Sequence, residues 1–254
     1  MNDVKAANDS SWFFIHGFLG LPQDWNEILR ETHFADCAPA PTLVNLWHDS
    51  DLNPKVCSLS RWGQAFTEKY LSKLGDSGAR GVGYSLGGRL LLHAFAHAPE
   101  RFSKVVLIAA HPGIRNESEK IGRLKNETYW SEKFLSSPWD STLREWNSQS
   151  VFANSKMEPL RLESDFDRNQ LARSLTDWSL GHQQDFSDLI QKYADKIIYI
   201  CGDCDAKFVG VANHIRSLGV KNIHIIPQAS HRVHFEQARA VAEILNSIIH
   251  PAKG

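Results

Sequence analysis

Short apolar runs bounded by turn residues recur along the chain at residues 12–15, 42–46, 104–110, 196–201 and 222–226. They are continuous rather than alternating, which is the pattern of strands covered on both faces. Between several of them lie stretches with helical character, at 23–30, 60–74, 86–98 and 235–249. Strands alternating with helices predict an α/β protein: a mainly parallel sheet with helices on both faces. From 112 to 189 the strand signal disappears. The sequence there is polar and Ser-rich, dotted with Tyr129, Trp130, Trp139, Trp146 and Trp178. Helices are predicted over 117–135, 141–149 and 168–180, the last behind a polar Glu163-Ser164-Asp165 approach. The organisation expected is a core in two parts, 1–111 and 190–254, with a helical cap insertion at 112–189. An insertion at that point sits over the carboxyl ends of the strands, where open α/β sheets bind ligands.

Composition narrows the classes. A chain of 254 residues, 42% hydrophobic, can bury a full core. A formal net charge of −1 without a long basic run gives no reason to expect nucleic acid or an anionic membrane as partner. The first ten residues lack an apolar leader-type segment, and nowhere do about 18 apolar residues run together, so no membrane insertion and a cytoplasmic location are expected. Four cysteines are too few for a disulfide scaffold. Cys37 and Cys57 suit reduced structural thiols, and Cys201-x-x-Cys204 lacks the second pair of a zinc site and the following helix of a redox site. No metal or cofactor is implied.

The chemistry is concentrated at Gly83-Tyr84-Ser85-Leu86-Gly87, a G-x-S-x-G at the start of the helix-like run 86–98. A nucleophile elbow needs a serine on a tight strand-to-helix turn, with glycines allowing close approach on either side. The strand expected ahead of it, 78–82, is short and glycine-rich, in conflict with that reading. Gly81 and Gly83 also suggest a dinucleotide loop, but Leu86 stands where its third glycine belongs. A serine hydroxyl needs an imidazole to take its proton and an acid to hold the imidazole. In the elbow arrangement these follow in the order Ser, acid, His, on loops after late strands. Asp205 is preferred over Asp203 after the run 196–201, and His231 over His234 after the run 222–226. His16-Gly17-Phe18-Leu19-Gly20, directly after the first strand, supplies the remaining element. An oxyanion hole is expected from the backbone N–H groups of Phe18 and Leu86.

Taken together, these residues resemble an α/β-hydrolase fold. Val82 to Arg89, His111-Pro112-Gly113, Cys201 to Phe208, and the segment from Trp146 through Gln149, Val151, Phe152 and Ala153 resemble more particularly the 2-succinyl-6-hydroxy-2,4-cyclohexadiene-1-carboxylate synthases of menaquinone biosynthesis. The likeness runs from His16 to His231. It implies a lyase that eliminates pyruvate from a small anionic polycarboxylate, beginning with removal of a proton beside a ketone. It also implies substrate contacts at Tyr84, Arg89, Arg123 and Trp146, in addition to catalytic Ser85, Asp205 and His231. Arginine suits that substrate because its guanidinium donates two parallel hydrogen bonds to a carboxylate. A third arginine of the family falls at Arg161 or Arg168, and both remain open. Asn45-Leu46-Trp47-His48-Asp49 departs from the Asp-x-x-Gly-His-Gly loop of many relatives, a change at the floor or edge of the pocket. A carboxylesterase or other acyl hydrolase using the same serine as nucleophile is the alternative function.

Overall fold

The computed structural model describes residues 11–36, 39–74 and 78–250. The apolar runs become β1 (Ser11–Ile15), β2 (Thr42–Val44), β3 (Ala79–Tyr84), β4 (Phe102–Ile108), β5 (Ile197–Gly202) and β6 (Asn222–Ile226). They form one sheet in the order β2-β1-β3-β4-β5-β6, and every pairing is parallel. Chain direction across the sheet reverses at β1, which is flanked by β2 on one side and β3 on the other. The crevice at such a reversal lies outside the carboxyl ends of the strands. Here those ends lead into the His16–Gly20 loop and into Ser85.

Helices cover the sheet. α1 (Asn26–Glu31) follows a 3₁₀ turn at Pro22–Trp25, and α2 (Leu59–Phe66) runs on into a π-helical turn at Thr67–Leu71. α3 (Leu86–His97) leaves the elbow. Between β4 and β5 come α4 (Glu117–Ser136), α5 (Trp139–Asn147), α6 (Arg168–Asp177) and α7 (Ser187–Lys192), with no strand among the described residues. α8 (Ala206–Ser217), the short α9 (Val233–Glu236) and α10 (Ala238–Ile249) complete the chain.

The strand before the elbow corrects the sequence expectation. β3 is six residues long and nearly all buried. Its glycines are a packing requirement, not a weakness: a Cβ on Gly81 would stand 2.5 Å from the Leu91 side chain, and one on Gly83 2.5 Å from the Gly88 Cα. Only bare backbone lets α3 lie directly on β3. The predicted strand 42–46 is shorter because the Asn45 side chain turns the chain, its Oδ1 accepting from the N–H groups of Trp47 at 3.1 Å and His48 at 3.3 Å.

Within the helical insertion, side chains cap both long helices. Asn116 accepts from the Glu119 N–H at 3.0 Å, and Asp167 Oδ1 accepts from the N–H groups of Asn169 and Gln170. Trp130, Phe134, Trp139 and Phe166 form its buried centre, so most of its aromatics pack. Trp178 is fully buried and ties the insertion to the core by donating its indole N–H to the Cys57 carbonyl at 2.9 Å.

Candidate active site

Ser85 is held at φ 50°, ψ −111°, a conformation that costs a non-glycine residue on the order of 1–3 kcal/mol. Its N–H donates to the Ile108 carbonyl at 2.8 Å and its carbonyl accepts from the Arg89 N–H at 3.1 Å, so β4 and α3 fix the turn. The hydroxyl stands 3.2 Å from His231 Nε2, and His231 Nδ1 stands 2.9 Å from Asp205 Oδ2. Asp205 lies three residues past β5. Its second oxygen accepts from the Phe208 N–H at 3.2 Å, capping α8 and holding the carboxylate in place. A carboxylate on Nδ1 keeps the proton there and turns the Nε2 lone pair to the serine. Burial pulls the His231 pKa below its usual 6.5, partly opposed by Asp205, so the imidazole is a neutral base at pH 7. The two alternatives stand elsewhere: Asp203 Oδ1 accepts from the Cys204 thiol at 3.2 Å, and His234 stacks on Tyr84 with ring centroids 3.9 Å apart.

Leu86 opens α3, so its N–H has no intrahelical acceptor. The Phe18 N–H donates to no backbone carbonyl among the described residues. Both residues line the same cavity as Ser85. The Phe18 loop is braced from below. The Leu46 N–H donates to His16 Nε2 at 3.1 Å, which forces the proton onto Nδ1, and that N–H donates to the Gly17 carbonyl at 2.9 Å. The Trp47 indole donates to the Gly20 carbonyl at 2.7 Å. Thus residues 45–49, where the sequence differs from the expected Asp-x-x-Gly-His-Gly pattern, brace the His16–Gly20 loop.

A cavity of about 120 Å³ lies in front of Ser85. Arg89, His111, Arg123, Glu127, Trp146, Phe152, Lys207 and His231 share its wall. Arg89 is buried, donating to Gln183 Oε1 at 2.8 Å and to the Trp178 carbonyl at 2.5 Å. Burial lowers its pKa to about 10, which leaves it cationic at neutral pH. Arg123 pairs with Glu127 one helical turn on, at 2.7 Å, and the buried Glu127 also accepts from the Ser179 hydroxyl.

Tyr84 lines a second cavity instead, with Asp24, Arg161 and Arg232. Phe18, Trp146 and Phe152 border both cavities and so form the partition. Arg161 donates to Asp24 at 2.7 Å, both side chains being nearly buried. Arg168 lines neither cavity. It bonds to Glu163 at 2.7 Å and to the carbonyls of Phe134 and Ser137, bracing the end of α4 against α6. Of the two arginines left open by sequence, Arg161 is the one beside the site.

Sequence reading passed over Glu127, Gln183, Arg232 and Glu236. Only Glu127 carried a local signal, its spacing of four from Arg123. The cysteine readings fall as follows. Cys57, Cys201 and Cys204 are unpaired, and burial raises the Cys57 thiol to about 11 and Cys201 to about 12. Cys37 lies outside the described residues. Among the described residues no group of His, Cys, Asp or Glu is placed to hold a metal ion, and no helix is long and apolar enough to cross a membrane.

An all-parallel sheet with a strained serine at the switch point, a Ser-His-Asp chain and a helical insertion defines a class. The chain belongs to the alpha/beta hydrolase family, whose sequence profile matches residues 12–244, and it is an enzyme built on that fold. Over nearly its whole length it is similar to proteins named 2-succinyl-6-hydroxy-2,4-cyclohexadiene-1-carboxylate synthase. The Escherichia coli (strain K12 / DH10B) protein is 30% identical over 244 residues, covering 93% of this chain and 92% of its own. That of Serratia proteamaculans is 29% identical, covering 97% and 96%. Among solved structures, MenH from S. aureus shares the fold at a TM-score of 0.73 and 18% identity, covering 95% of this chain and 94% of its own.

Proposed function

We propose that this enzyme is a lyase that eliminates pyruvate from 2-succinyl-5-enolpyruvyl-6-hydroxy-3-cyclohexene-1-carboxylate, giving 2-succinyl-6-hydroxy-2,4-cyclohexadiene-1-carboxylate. The observation that carries this reading is the charge of the Ser85 cavity. Arg89, Arg123 and Lys207 face one carboxylate, Glu127, in its wall. Such an excess suits a substrate with several carboxylates and is wasted on a neutral ester. The names of the relatives point to the same reaction.

In this mechanism Ser85 is a base, not a nucleophile. His231 draws the Ser85 proton, and the serine oxygen removes the proton beside the substrate ketone. The electron pair moves into an enolate, whose oxygen is met by the Phe18 and Leu86 N–H groups. Collapse of the enolate shifts the ring double bond and breaks the bond from ring carbon to the enolpyruvyl oxygen, and the released enolate takes up at carbon the proton held by His231 to become pyruvate. Arg89 and Arg123 hold substrate carboxylates on one side of the aromatic partition. Tyr84 and Arg161 take another beyond it, and Trp146 packs between. The insertion at 112–189 acts as the cap over this site.

The test is incubation with the enolpyruvyl substrate while pyruvate is followed. Ser85→Ala is expected to lower pyruvate release by a factor on the order of a thousand. Release that does not depend on Ser85 overturns the reading. A second reading, acyl hydrolysis, is favoured by the apolar share of the wall, Leu86, Val151, Phe152, Leu175 and Leu180. It requires a burst with an activated ester and an acyl group trapped on Ser85 during turnover of the natural substrate.

A further inference from the structure

His111 and Lys207 share the Ser85 cavity, and neither has a part in the base chemistry. His111 stands three residues beyond β4. Its Nδ1 accepts from the Gly113 N–H at 3.1 Å, so the ring proton must sit on Nε2, and Nε2 becomes a donor. The Gln183 amide donates to the His111 carbonyl at 3.1 Å while accepting from Arg89, which fixes the residue against the cationic wall. Burial first, and then the charges of Lys207, Arg89 and Arg123, lower the His111 pKa to about 4. The ring is therefore neutral throughout the physiological range.

Lys207 lies in the first turn of α8, two residues past Asp205, and among the described residues its ammonium makes no hydrogen bond or ion pair. The centroid of the Phe208 ring lies 5.8 Å from its ammonium. Arg89 already donates to Gln183 and Trp178, and Arg123 pairs with Glu127, whereas Lys207 is exposed and makes no ion pair among the described residues. Partial burial and then the nearby Arg123 pull its ammonium pKa below the usual value, against the opposing charges of Glu119, Asp205 and Glu127.

We propose that Lys207 and the Nε2–H of His111 form a carboxylate subsite, which holds one carboxylate of the polyanionic substrate beside Ser85. This rests on the lyase reading for the identity of the substrate, but not for the subsite itself. A neutral donor beside an ammonium suits a carboxylate, because one oxygen takes the charge and the other a directed hydrogen bond. The ammonium supplies attraction and the locked imidazole supplies orientation. Since both act on a carboxylate whose own bonds do not change in the reaction, they contribute to binding of substrate and transition state alike.

Lys207→Met is expected to raise KM for the enolpyruvyl substrate about tenfold and leave kcat within about threefold, the size of one lost charged hydrogen bond. His111→Phe behaves likewise, and His111→Gln, which keeps an N–H donor, recovers most of the loss. Melting temperatures of the variants are compared with the wild type, and the Gln against Phe contrast separates donor loss from misfolding. Succinate binding, followed by calorimetry, is the readout independent of turnover. Its affinity falls about tenfold in Lys207→Met, while neutral succinamide shows no dependence on Lys207. If the wild type releases no pyruvate but succinate binding still depends on Lys207, the lyase reading fails and the subsite stands. If pyruvate is released and Lys207→Met changes neither KM nor succinate affinity, the subsite fails and the lyase stands. Absence of saturable succinate binding to the wild type also overturns the subsite.

Discussion

At the scale of single residues the site turns on protonation. His231 acts as base only when neutral, and burial outweighs the Asp205 contact to lower its pKa. Activity therefore persists below pH 6.5 and is lost as pH falls through the lowered value, because protonation removes the lone pair that faces Ser85. A kcat/KM profile measured from pH 4.5 to 8 is expected to be flat at neutrality, with its acid limb centred below 6.5; a limb at or above 6.5 contradicts the assignment. Asp205 and His231 were legible in the sequence because each follows a recognisable apolar strand within a few residues, and Ser85 because of its G-x-S-x-G, despite the weak strand signal ahead of it. Arg161 was not, because its partner Asp24 is 137 residues away and nothing local marks the pair. Tyr84 was placed at the site by the family resemblance, yet its ring leans on His234 and opens to the second cavity. Adjacent residues on a strand point to opposite faces, and a five-residue motif does not say which cavity lies on each.

At the scale of elements, one short segment of the insertion is fastened to both catalytic loops. Asn154 donates to the Cys204 carbonyl at 3.0 Å, beside Asp205. Arg232, next to His231, donates to the Met157 carbonyl at 2.8 Å and lies 4.2 Å from the Phe152 ring centroid. Glu236 of α9 accepts from the Ser230 N–H at 2.5 Å and hydroxyl at 2.8 Å, and from the Ser155 hydroxyl at 2.6 Å and Lys156 N–H at 3.1 Å. Burial alone would raise its pKa, but these bonds bring it below the usual 4.5. Its contribution is thus present above pH 4.5 and lost as pH falls through the lowered value. Glu236→Gln keeps the size but offers one acceptor oxygen in place of two, and is expected to destabilise the loop by about 1–3 kcal/mol. Faster hydrogen exchange at the Ser230 amide, with lower kcat/KM, is the expected outcome; unchanged exchange would show that the latch is idle. The elements themselves were legible where apolar periodicity was unbroken. The helix predicted at 60–74 breaks into a π turn after Phe66, where Lys69 and Tyr70 both reach Asp49 at 2.7 and 2.8 Å. That contact crosses from another loop, so periodicity could not announce it.

At the scale of the whole molecule, alternation of apolar runs with helices was enough to predict the layered sheet, since that architecture buries every run. The near-zero net charge hid a separation of charge: cations gather around the Ser85 cavity, and neutral histidines are held inside. Burial pulls the pKa values of His16, His93 and His111 to about 4 and that of His234 well below 6.5. The unfolded chain takes up these protons near pH 6.5, so it binds more protons than the folded state below that pH. Stability is full above about pH 6.5 and is lost progressively towards about pH 4, where the three shallower histidines become protonated in the fold as well. Asp24 acts in the opposite sense, because burial raises its carboxyl pKa, but the buried histidines outnumber it. The urea midpoint of the intact chain is therefore expected to fall between pH 7.5 and pH 5, by an amount equivalent to a few kcal/mol, on the order of 1 kcal/mol for each histidine. His16→Asn keeps a polar side chain at the His16–Gly20 loop without a titrating group, so its midpoint should fall less over the same interval. Equal falls in variant and wild type would remove His16 from the set of groups that set the acid limit.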